Sequence, residues 1–343
     1  MSRLCLFFAL PLLFLFTSCV TEDEFADNPQ GNFEALWKIM DEHYCFFTEK
    51  GVDWNEVHDR YAKQVTGTLT DSQLLEVLGN MLAEVKDGHV NLYTSFDIGR
   101  YWAYHEDYPS NISDTLISQY LGTDYKIASG LRYRILDDNI GYIRCLTFSN
   151  AFGAGNLDDI LFYLQPCNGL IIDLRDNGGG QLTTAETLAA RFTNEKTLVG
   201  YMQHKTGKGH DDFSDMNEQW IKPSSGIRWQ KTVVVLTNRA VFSAANEFVK
   251  YMKCFPKAVV IGDKTGGGAG LPFSSELPNG WSVRFSAAPM FDRDKQSTEG
   301  GIDPDIKVGL TTRDFLKGYD TIIEMARKYI GDPSSFSTLD TKR

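Results

Sequence analysis

Two side chains in this sequence have the types and settings that acyl-transfer chemistry needs, a serine and a histidine. Ser243 stands between a predicted buried strand, 232–237, and a predicted helix, 243–254. A serine at that position usually caps its helix, but beside a base it becomes a nucleophile. Of the six histidines, only His89 lies in a turn directly after a predicted helix, flanked by Asp87 and a glycine. His89 could be that base, or it could be a structural histidine.

A glycine run, 178–180, directly follows a predicted buried strand, 168–174, and precedes a helix. Free backbone N–H groups in such a turn can converge on one point, where they stabilise an oxyanion or bind a phosphate. The chain has neither a Walker pattern nor the G-x-G-x-x-G fingerprint, so the nucleotide interpretation is weak. Ser243 also lacks the glycine-flanked elbow of α/β-hydrolases.

Two carboxylates complete the set of candidate groups. Asp87 lies two residues before His89, and Glu299 lies in the loop TEGGIDPD. A buried acid beside a histidine fixes the tautomer of the ring and stabilises the imidazolium. Glu299 could fill that role, or it could be a solvated loop acid.

A set of N-terminal helices and a core of alternating strands and helices must position these groups. Apolar spacing at 33–44, at 55–65 and after Asp71, a candidate N-cap, predicts three amphipathic helices that lead to His89. From residue 140 onward strands alternate with helices, which predicts an α/β core with crossover connections. The core strands are expected at 140–146, 168–174, 232–237, 257–262 and 280–287, and its helices at 157–164, 182–192, 243–254 and 315–329. Residues 90–139 are predicted to form short strands and loops, and 200–230 a surface excursion without pattern.

The composition sets limits on function. Of the 343 residues 42% are apolar and 13% aromatic, which is typical of a globular protein. The formal net charge of −11, without a basic stripe, argues against a nucleic-acid partner. The six cysteines form no CxxC pair and no cluster with histidines at metal-ligand spacing. We therefore expect neither a zinc site nor a disulfide framework.

Residues 1–19 have the pattern of an export signal. Arg3 precedes the apolar run 4–16, which is too short to span a bilayer as a mature helix. The run ends in LFTSC, which resembles the lipobox of bacterial lipoproteins and implies a lipid on Cys19. The acidic residues that follow resemble the tether of some surface-exposed Bacteroidetes-type lipoproteins. We expect an exported lipoprotein that faces the outer membrane or periplasm, or the cell surface, and is attached to the membrane by acyl chains.

Five motifs in chain order resemble those of the S41 peptidase family, which contains the C-terminal processing proteases and the tricorn core proteases. They are DGH (87–89), GLIIDLRDNGGG (169–180), VVVLTNRAVFSAANEF (233–248), VVIGDKTGGGAGLP (259–272) and EGGIDPDIKV (299–308). The resemblance implies a ClpP/crotonase-like α/β superhelix behind a small helical N-terminal domain. The expected divisions are a signal peptide (1–19), a linker (20–32), a helical bundle (33–95), short strands and loops (96–139), a catalytic core (140–330) and a flexible tail (331–343).

The resemblance also discriminates between the two catalytic styles of the family. Processing proteases use a Ser–Lys dyad, but the position of the dyad lysine is Gly268 in this sequence. Lys264, the only lysine of that loop, lies four residues earlier. The resemblance therefore points to the tricorn-like branch, with Lys264 left as a supporting residue.

In the tricorn-like branch a histidine is the base, and His89 and Glu299 match its base and its acid. Tricorn-type sites place a serine directly before the histidine, where this sequence has Gly88. The relay from histidine to acid must then be direct, pass through water or use another side chain. Asp87 is the second supporting candidate.

The implied reaction is hydrolysis of a peptide or an unfolded protein through an acyl-enzyme, without metal or cofactor. Ser243 is the nucleophile and His89 the base, and the N–H groups of Gly178, Gly179 and Ala244 form the oxyanion hole. About fifty residues separate His89 from the strand at 140–146, too few for a PDZ domain. Two alternatives stay open, a non-catalytic ligand- or peptide-binding protein on the same fold and an esterase-type hydrolase.

Overall fold

The computed structural model describes residues 24–336, so the signal peptide with Cys19 and most of the predicted tail lie outside the described residues. Within 24–336 the chain forms ten α-helices and thirteen strands. The helices are α1 (Pro29–His43), α2 (Phe47–Lys50), α3 (Trp54–Ala62), α4 (Asp71–Ala83), α5 (Asp114–Leu121), α6 (Ala154–Leu164), α7 (Leu182–Ala189), α8 (Ala244–Lys253), α9 (Thr312–Leu316) and α10 (Thr321–Gly331). The strands are β1 (Asn91–Tyr93), β2 (Ile98–Arg100), β3 (Lys126–Ala128), β4 (Leu131–Ile135), β5 (Gly141–Arg144), β6 (Leu170–Asp173), β7 (Thr197–Met202), β8 (Asn217–Ile221), β9 (Val233–Thr237), β10 (Ala258–Gly262), β11 (Gly270–Glu276), β12 (Ser282–Phe291) and β13 (Ile306–Lys307).

The central element is a seven-stranded sheet with the order β13-β10-β9-β6-β5-β4-β3. Strands β5, β6, β9, β10 and β13 run parallel, and β3 and β4 continue the sheet antiparallel. Every residue of β6, β9 and β10 is buried, because helices cover both faces of the sheet. Helices α6, α7 and α8 pack on one face, and α5 and α10 pack on the other. The predicted α/β core with crossover connections is confirmed.

A second, antiparallel sheet joins the helical N-terminal region to this core. Its order is β2-β1-β12-β7-β8, and β11 pairs with the other edge of β12. Helices α1 to α4 pack against this sheet in a core that includes Trp54, Leu78, Val283 and Phe285. The turn between α4 and β1, which carries His89, is thereby fixed to both the helices and the sheet.

Several elements differ from the sequence prediction, each for a local reason. The predicted excursion at 200–230 contains β8 and the end of β7; β8 is mostly polar, so no alternation marks it. The predicted loops at 90–139 contain α5, which has only eight residues. Strand β11 was missed because it contains a glycine and a proline.

Two helix boundaries also differ from the prediction. The single helix predicted at 315–329 is two helices, and the Asp320 side chain caps the second by accepting the N–H groups of Ile322 and Ile323. Helix α4 is capped by Thr70 in a capping box, and Asp71 is its first residue. None of the helices within the described residues has the length and apolarity needed to cross a membrane.

Candidate active site

Ser243 sits in a strained turn between β9 and α8. Its φ is 58° and its ψ −127°, a combination that costs a residue with a side chain about 1–3 kcal/mol. Backbone hydrogen bonds hold the turn, since Ser243 N–H donates to Gly267 O at 2.9 Å and Phe242 N–H donates to Asn177 O at 3.1 Å. Its side chain makes no capping hydrogen bond, although Ser243 is the N-cap residue of α8. The geometry therefore does not support the interpretation that the Ser243 side chain caps its helix.

His89 is fixed in the turn that follows α4. Its backbone N–H donates to Asp87 Oδ1 at 2.7 Å, and Val90 N–H donates to Asp87 O at 3.1 Å. The imidazole is buried, and its ring packs at 4.8 Å from the ring of Phe242, the residue before Ser243. The two turns therefore meet through aromatic packing next to their polar side chains.

The structure brings His89 and Ser243 into direct contact. His89 Nε2 and Ser243 Oγ are 2.9 Å apart, although 154 positions separate the two residues in the chain. Burial lowers the pKa of His89 to about 4, with a smaller lowering from Arg284 and Lys50, against the raising effect of Asp87. The imidazole is therefore neutral at pH 7 and able to accept the hydroxyl proton.

The absence of a side chain at Gly88 has a steric explanation. A Cβ at this position would lie 2.8 Å from a ring carbon of Tyr104 and 3.0 Å from Phe242. Tyr104 stacks on Phe242 at 4.5 Å, and Arg239 Nε donates to the Tyr104 backbone oxygen at 2.8 Å. The space in which a tricorn-type serine would sit is closed by Tyr104.

The glycine turn that carries two of the predicted oxyanion donors lies against the Ser243 turn. No hydrogen-bond acceptor for the N–H of Gly178 or Ala244 occurs within residues 24–336, whereas Gly179 N–H donates to Asn177 Oδ1 at 2.9 Å. Gly179 has φ +99°, and a Cβ there would lie 2.8 Å from Ser243 Cβ and 2.9 Å from Ala244 N. Gly179 thus allows the glycine turn to approach the serine, and Gly178 and Ala244 are the two candidates with free donors.

Glu299 does not contact His89. Its Oε1 accepts from Lys50 Nζ at 2.9 Å, and its Oε2 accepts from Ala269 N–H at 2.8 Å. Nδ1 of His89 is buried without a hydrogen-bond partner among the described residues. Burial, and then the negative charge of Asp87, raise the pKa of Glu299 to about 8, while Lys50 lowers it. A direct relay from His89 to Glu299 is absent from this arrangement.

Asp87 is the carboxylate nearest to the histidine. Besides the His89 N–H, it accepts hydrogen bonds from Tyr44 Oη at 3.1 Å and Ser286 Oγ at 2.8 Å, both on Oδ2. Burial, and then the Asp87 charge, raise the pKa of Tyr44 well above its usual value, so Tyr44 stays a donor. Asp87, Glu299 and Lys50 form one cluster of titratable groups next to the imidazole.

The other supporting candidate, Lys264, is not near the serine by any recorded contact. Its backbone N–H donates to Asp263 Oδ1 at 2.9 Å, and its ammonium group makes no hydrogen bond or ion pair within residues 24–336. In that same part of the chain no group of three His, Cys, Asp or Glu side chains is placed to hold a metal ion.

Ser243 opens into a cleft of about 240 Å³. Its walls include Gly180, Thr183, Leu271, Pro272, Arg284 and Met290. Strand β11 pairs with β12 along one edge, and no described strand pairs with its other edge. The cleft therefore runs beside a strand edge that has free backbone groups.

Sequence reasoning missed four polar residues of the site, namely Tyr44, Lys50, Arg284 and Ser286. Ser286 left a signal, because it is a polar side chain at an inward position of the apolar strand β12. Lys50 left none, since it lies at the end of a four-residue helix that has no apolar period.

A buried histidine bonded to a serine at a strand-to-helix turn is the arrangement of serine hydrolases. The peptidase family S41 profile matches residues 139–308, and the tricorn protease C1 domain profile matches residues 25–83. A crystal structure from Parabacteroides merdae ATCC 43184, assigned as a peptidase, is 54% identical and superposes with a TM-score of 0.85 over 89% of this chain and 97% of that chain. The chain belongs to peptidase family S41, a family of serine proteases.

Two more distant similarities concern one curated relative and one solved structure. Carboxy-terminal processing protease CtpA of Bacillus subtilis is 27% identical over 177 residues, 51% of this chain and 36% of that protein. The structure of mature CPAF complexed with lactacystin has a TM-score of 0.71 at 12% identity, over 89% of this chain and 98% of that chain, and so shows the fold alone. The chain spans about a third of the length of the curated relatives it matches first, at 34% and 36%. The predicted fold, an α/β core behind a helical N-terminal region, is confirmed.

Proposed function

We propose that this chain is a serine peptidase in which Ser243 is the nucleophile and His89 the general base. One observation carries the proposal, the 2.9 Å contact between His89 Nε2 and Ser243 Oγ. Family membership supplies the reaction class, and the low pKa of His89, about 4, keeps the base unprotonated at neutral pH.

In the proposed reaction, Ser243 Oγ attacks the carbonyl carbon of the scissile peptide bond while His89 Nε2 takes the hydroxyl proton. The C–N bond then breaks, and the imidazolium gives this proton to the leaving amine. Water attacks the acyl-enzyme in the same way, and its proton passes through His89 back to Ser243 Oγ. In both tetrahedral intermediates the negative oxygen lies between the N–H groups of Gly178 and Ala244, at the positive end of α8.

In this proposal Asp87 is the acid that stabilises the imidazolium of His89. Its charge raises the pKa of His89, so it favours the imidazolium that forms as Ser243 attacks. Glu299, whose pKa is raised to about 8, is neutral at pH 7 and lies next to Asp87 with its Oε1 at 2.9 Å from Lys50 Nζ. Asp87 also fixes the backbone of His89, because its Oδ1 accepts the His89 backbone N–H.

The substrate in this proposal is an extended peptide or an unfolded protein segment. The free edge of β11 offers backbone groups with which an extended chain can pair, beside the cleft that holds Ser243. An ester could react at the same serine, and the two substrate classes are separated by measurement.

The test is labelling with a fluorophosphonate probe, followed by assays on denatured casein and on p-nitrophenyl acetate. We expect the wild type to be labelled, Ser243→Ala to be unlabelled, and His89→Ala to react about 10²–10⁴-fold more slowly. His204→Ala is the matched control, because His204 is exposed and its backbone hydrogen bonds join Ser214. Labelling that survives in His89→Ala at full rate excludes His89 as the base, and a folded wild type that is never labelled refutes the proposal. Cleavage of the ester alone favours the esterase.

We further propose, from the sequence alone, that the protein is exported and lipidated on Cys19. The LFTSC sequence after a short apolar run supports this. In a bacterial host the full chain is expected in the membrane fraction and Cys19→Ala in the soluble exported fraction. Equal distribution of the two proteins between the fractions contradicts lipid anchoring.

A further inference from the structure

Among the described residues that line the Ser243 cleft, Arg284 is the one formally charged side chain and none is an acid. Arg284 lies in β12, two residues before Ser286 and therefore on the same face of the strand. Ser286 Oγ bonds Asp87 behind the imidazole, so this face of β12 is the face that the active site uses. The arginine is thus an integral part of the cleft.

Arg284 has no hydrogen bond and no ion pair with any residue in the described part of the chain, 24–336. Its cross-strand neighbours are Asn91 on β1 and Ser274 on β11, and neither carries a charge. Arg284 is half-buried, so water does not fully solvate its guanidinium. The protein has a net charge of −11, yet none of the carboxylates within residues 24–336 forms an ion pair with this arginine.

The buried arginines within residues 24–336 differ from Arg284, since each has a carboxylate partner. The pairs are Arg144 with Asp173, Arg175 with Asp173 and Asp320, and Arg191 with Asp158. A guanidinium presents five N–H donors in a planar fork that matches a carboxylate, and leaving such donors unpaired away from water is costly. The unpaired fork at Arg284 indicates a partner that arrives with the ligand.

Arg284 is also close to the reacting groups. Burial has the largest influence on the pKa of His89, and the opposing charge of Asp87 has the second largest. The charge of Arg284 comes third, and it lowers this pKa. A carboxylate paired with Arg284 would lie within the same cleft as Ser243, a few residues at most from the bond under attack. It would also cancel this lowering effect on the imidazole.

We propose that Arg284 determines specificity by binding a carboxylate of the substrate, either the free C-terminal carboxylate or an Asp or Glu side chain close to the scissile bond. The inference rests on the proposed peptidase function, because it assumes that a peptide occupies the cleft. Both sources offer the same planar, bidentate partner to the guanidinium. The two sources differ in position, and matched peptides separate them.

The experiment measures binding in the Ser243→Ala background, where no chemistry interferes. A synthetic library contains each peptide with a C-terminal acid or amide and with Glu or Gln at one internal position, and retention on immobilised protein is measured by mass spectrometry. We expect carboxylate forms to be retained about tenfold to hundredfold more than their neutral partners, the range of a charge-assisted hydrogen bond. Weaker retention of the C-terminal amide peptides identifies recognition of the C-terminal carboxylate. Weaker retention of the Gln peptides identifies recognition of an acidic side chain.

Arg284→Gln in the same background is expected to bring the acid-to-neutral ratio to about one, and Arg284→Lys to keep part of it. Arg313→Gln, which removes an exposed arginine of α9, is the matched control and should keep the full ratio. Thermal unfolding of each variant checks that the fold is intact. Equal retention of acid and neutral partners, a ratio that survives Arg284→Gln, or no retained peptide at all overturns the inference. Failure of the peptidase proposal appears separately, as absence of fluorophosphonate labelling of Ser243.

Discussion

The protonation of Glu299 makes the stability of this protein depend on pH in a specific window. Its pKa is raised from 4.5 to about 8, by burial first and by the charge of Asp87 second. The folded state therefore favours the neutral carboxyl group, while the unfolded chain ionises near pH 4.5. Stability from this group is fully present below about pH 4.5 and is lost as pH rises through about 8. At 1.36 kcal/mol for each pKa unit, the loss is about 5 kcal/mol.

The perturbation that tests this is Glu299→Gln, which removes the titration and keeps the shape. Urea unfolding followed by tryptophan fluorescence at pH 5, 6, 7, 8 and 9 gives the free energy of unfolding of both proteins. Replacing the carboxyl group by an amide changes the free energy of unfolding by an amount that does not depend on pH. Beyond that constant, we expect the free energy of unfolding of the variant, relative to that of the wild type, to increase by about 3–5 kcal/mol from pH 5 to pH 9. The titration of His89 occurs in both proteins and cancels in the difference.

Lys50→Met is the matched control for the charge partner. Lys50 lowers the pKa of Glu299 across the 2.9 Å contact, so its removal raises this pKa further. The variant should resemble the wild type at pH 5, where Glu299 is neutral in the folded state, and be less stable at pH 9. Parallel curves of free energy against pH for the wild type and Glu299→Gln refute the reasoning, since they mean that Glu299 is ionised at all these pH values.

Two further predictions concern the reacting groups. Because the pKa of His89 is lowered to about 4, the rate of fluorophosphonate labelling should stay level from pH 8 down to about 5 and fall only near pH 4; a fall centred on 6.5 contradicts a buried, neutral base. The same shift costs stability as pH falls from about 6.5 to 4, where the unfolded chain binds the proton first. Gly179→Ala should reduce labelling at least about 100-fold, because its Cβ would lie 2.8 Å from Ser243 Cβ. Gly155→Ala in α6 meets no atom within 4 Å and should label like the wild type; similar rates for both variants exclude the steric argument.

Sequence patterns predicted the elements that carry the nucleophile because those elements are locally determined. The apolar run of β9, the glycines at 178–180 and the apolar row of α8 are each visible in fewer than fifteen residues. The strained φ at Ser243 is not visible in this way. It depends on Gly267 O and Asn177 O, which come from two other loops.

The cluster of polar and titratable groups next to the histidine could not be predicted, because its members are brought together by packing between distant segments. Lys50 and Glu299 are 249 positions apart, and Ser286 and Asp87 are 199 apart. Glu299 was predicted as the acid of a relay from its motif, but a motif does not reveal which donors occupy its two oxygens. Here both oxygens are occupied, by Lys50 and by Ala269 N–H.

The base and the nucleophile belong to different sheets, which explains why the site depends on the whole fold. Ser243 follows β9 of the parallel sheet, whereas His89 precedes β1 of the antiparallel sheet. The segments that match known families, 25–83 and 139–308, contain α1 to α4 and the nucleophile but not His89. The position of His89 beside Ser243 therefore depends on packing, as β1 pairs with β12 and Tyr104 stacks on Phe242. Any change that loosens β1 from β12 should separate base from nucleophile while leaving the strained serine turn in place.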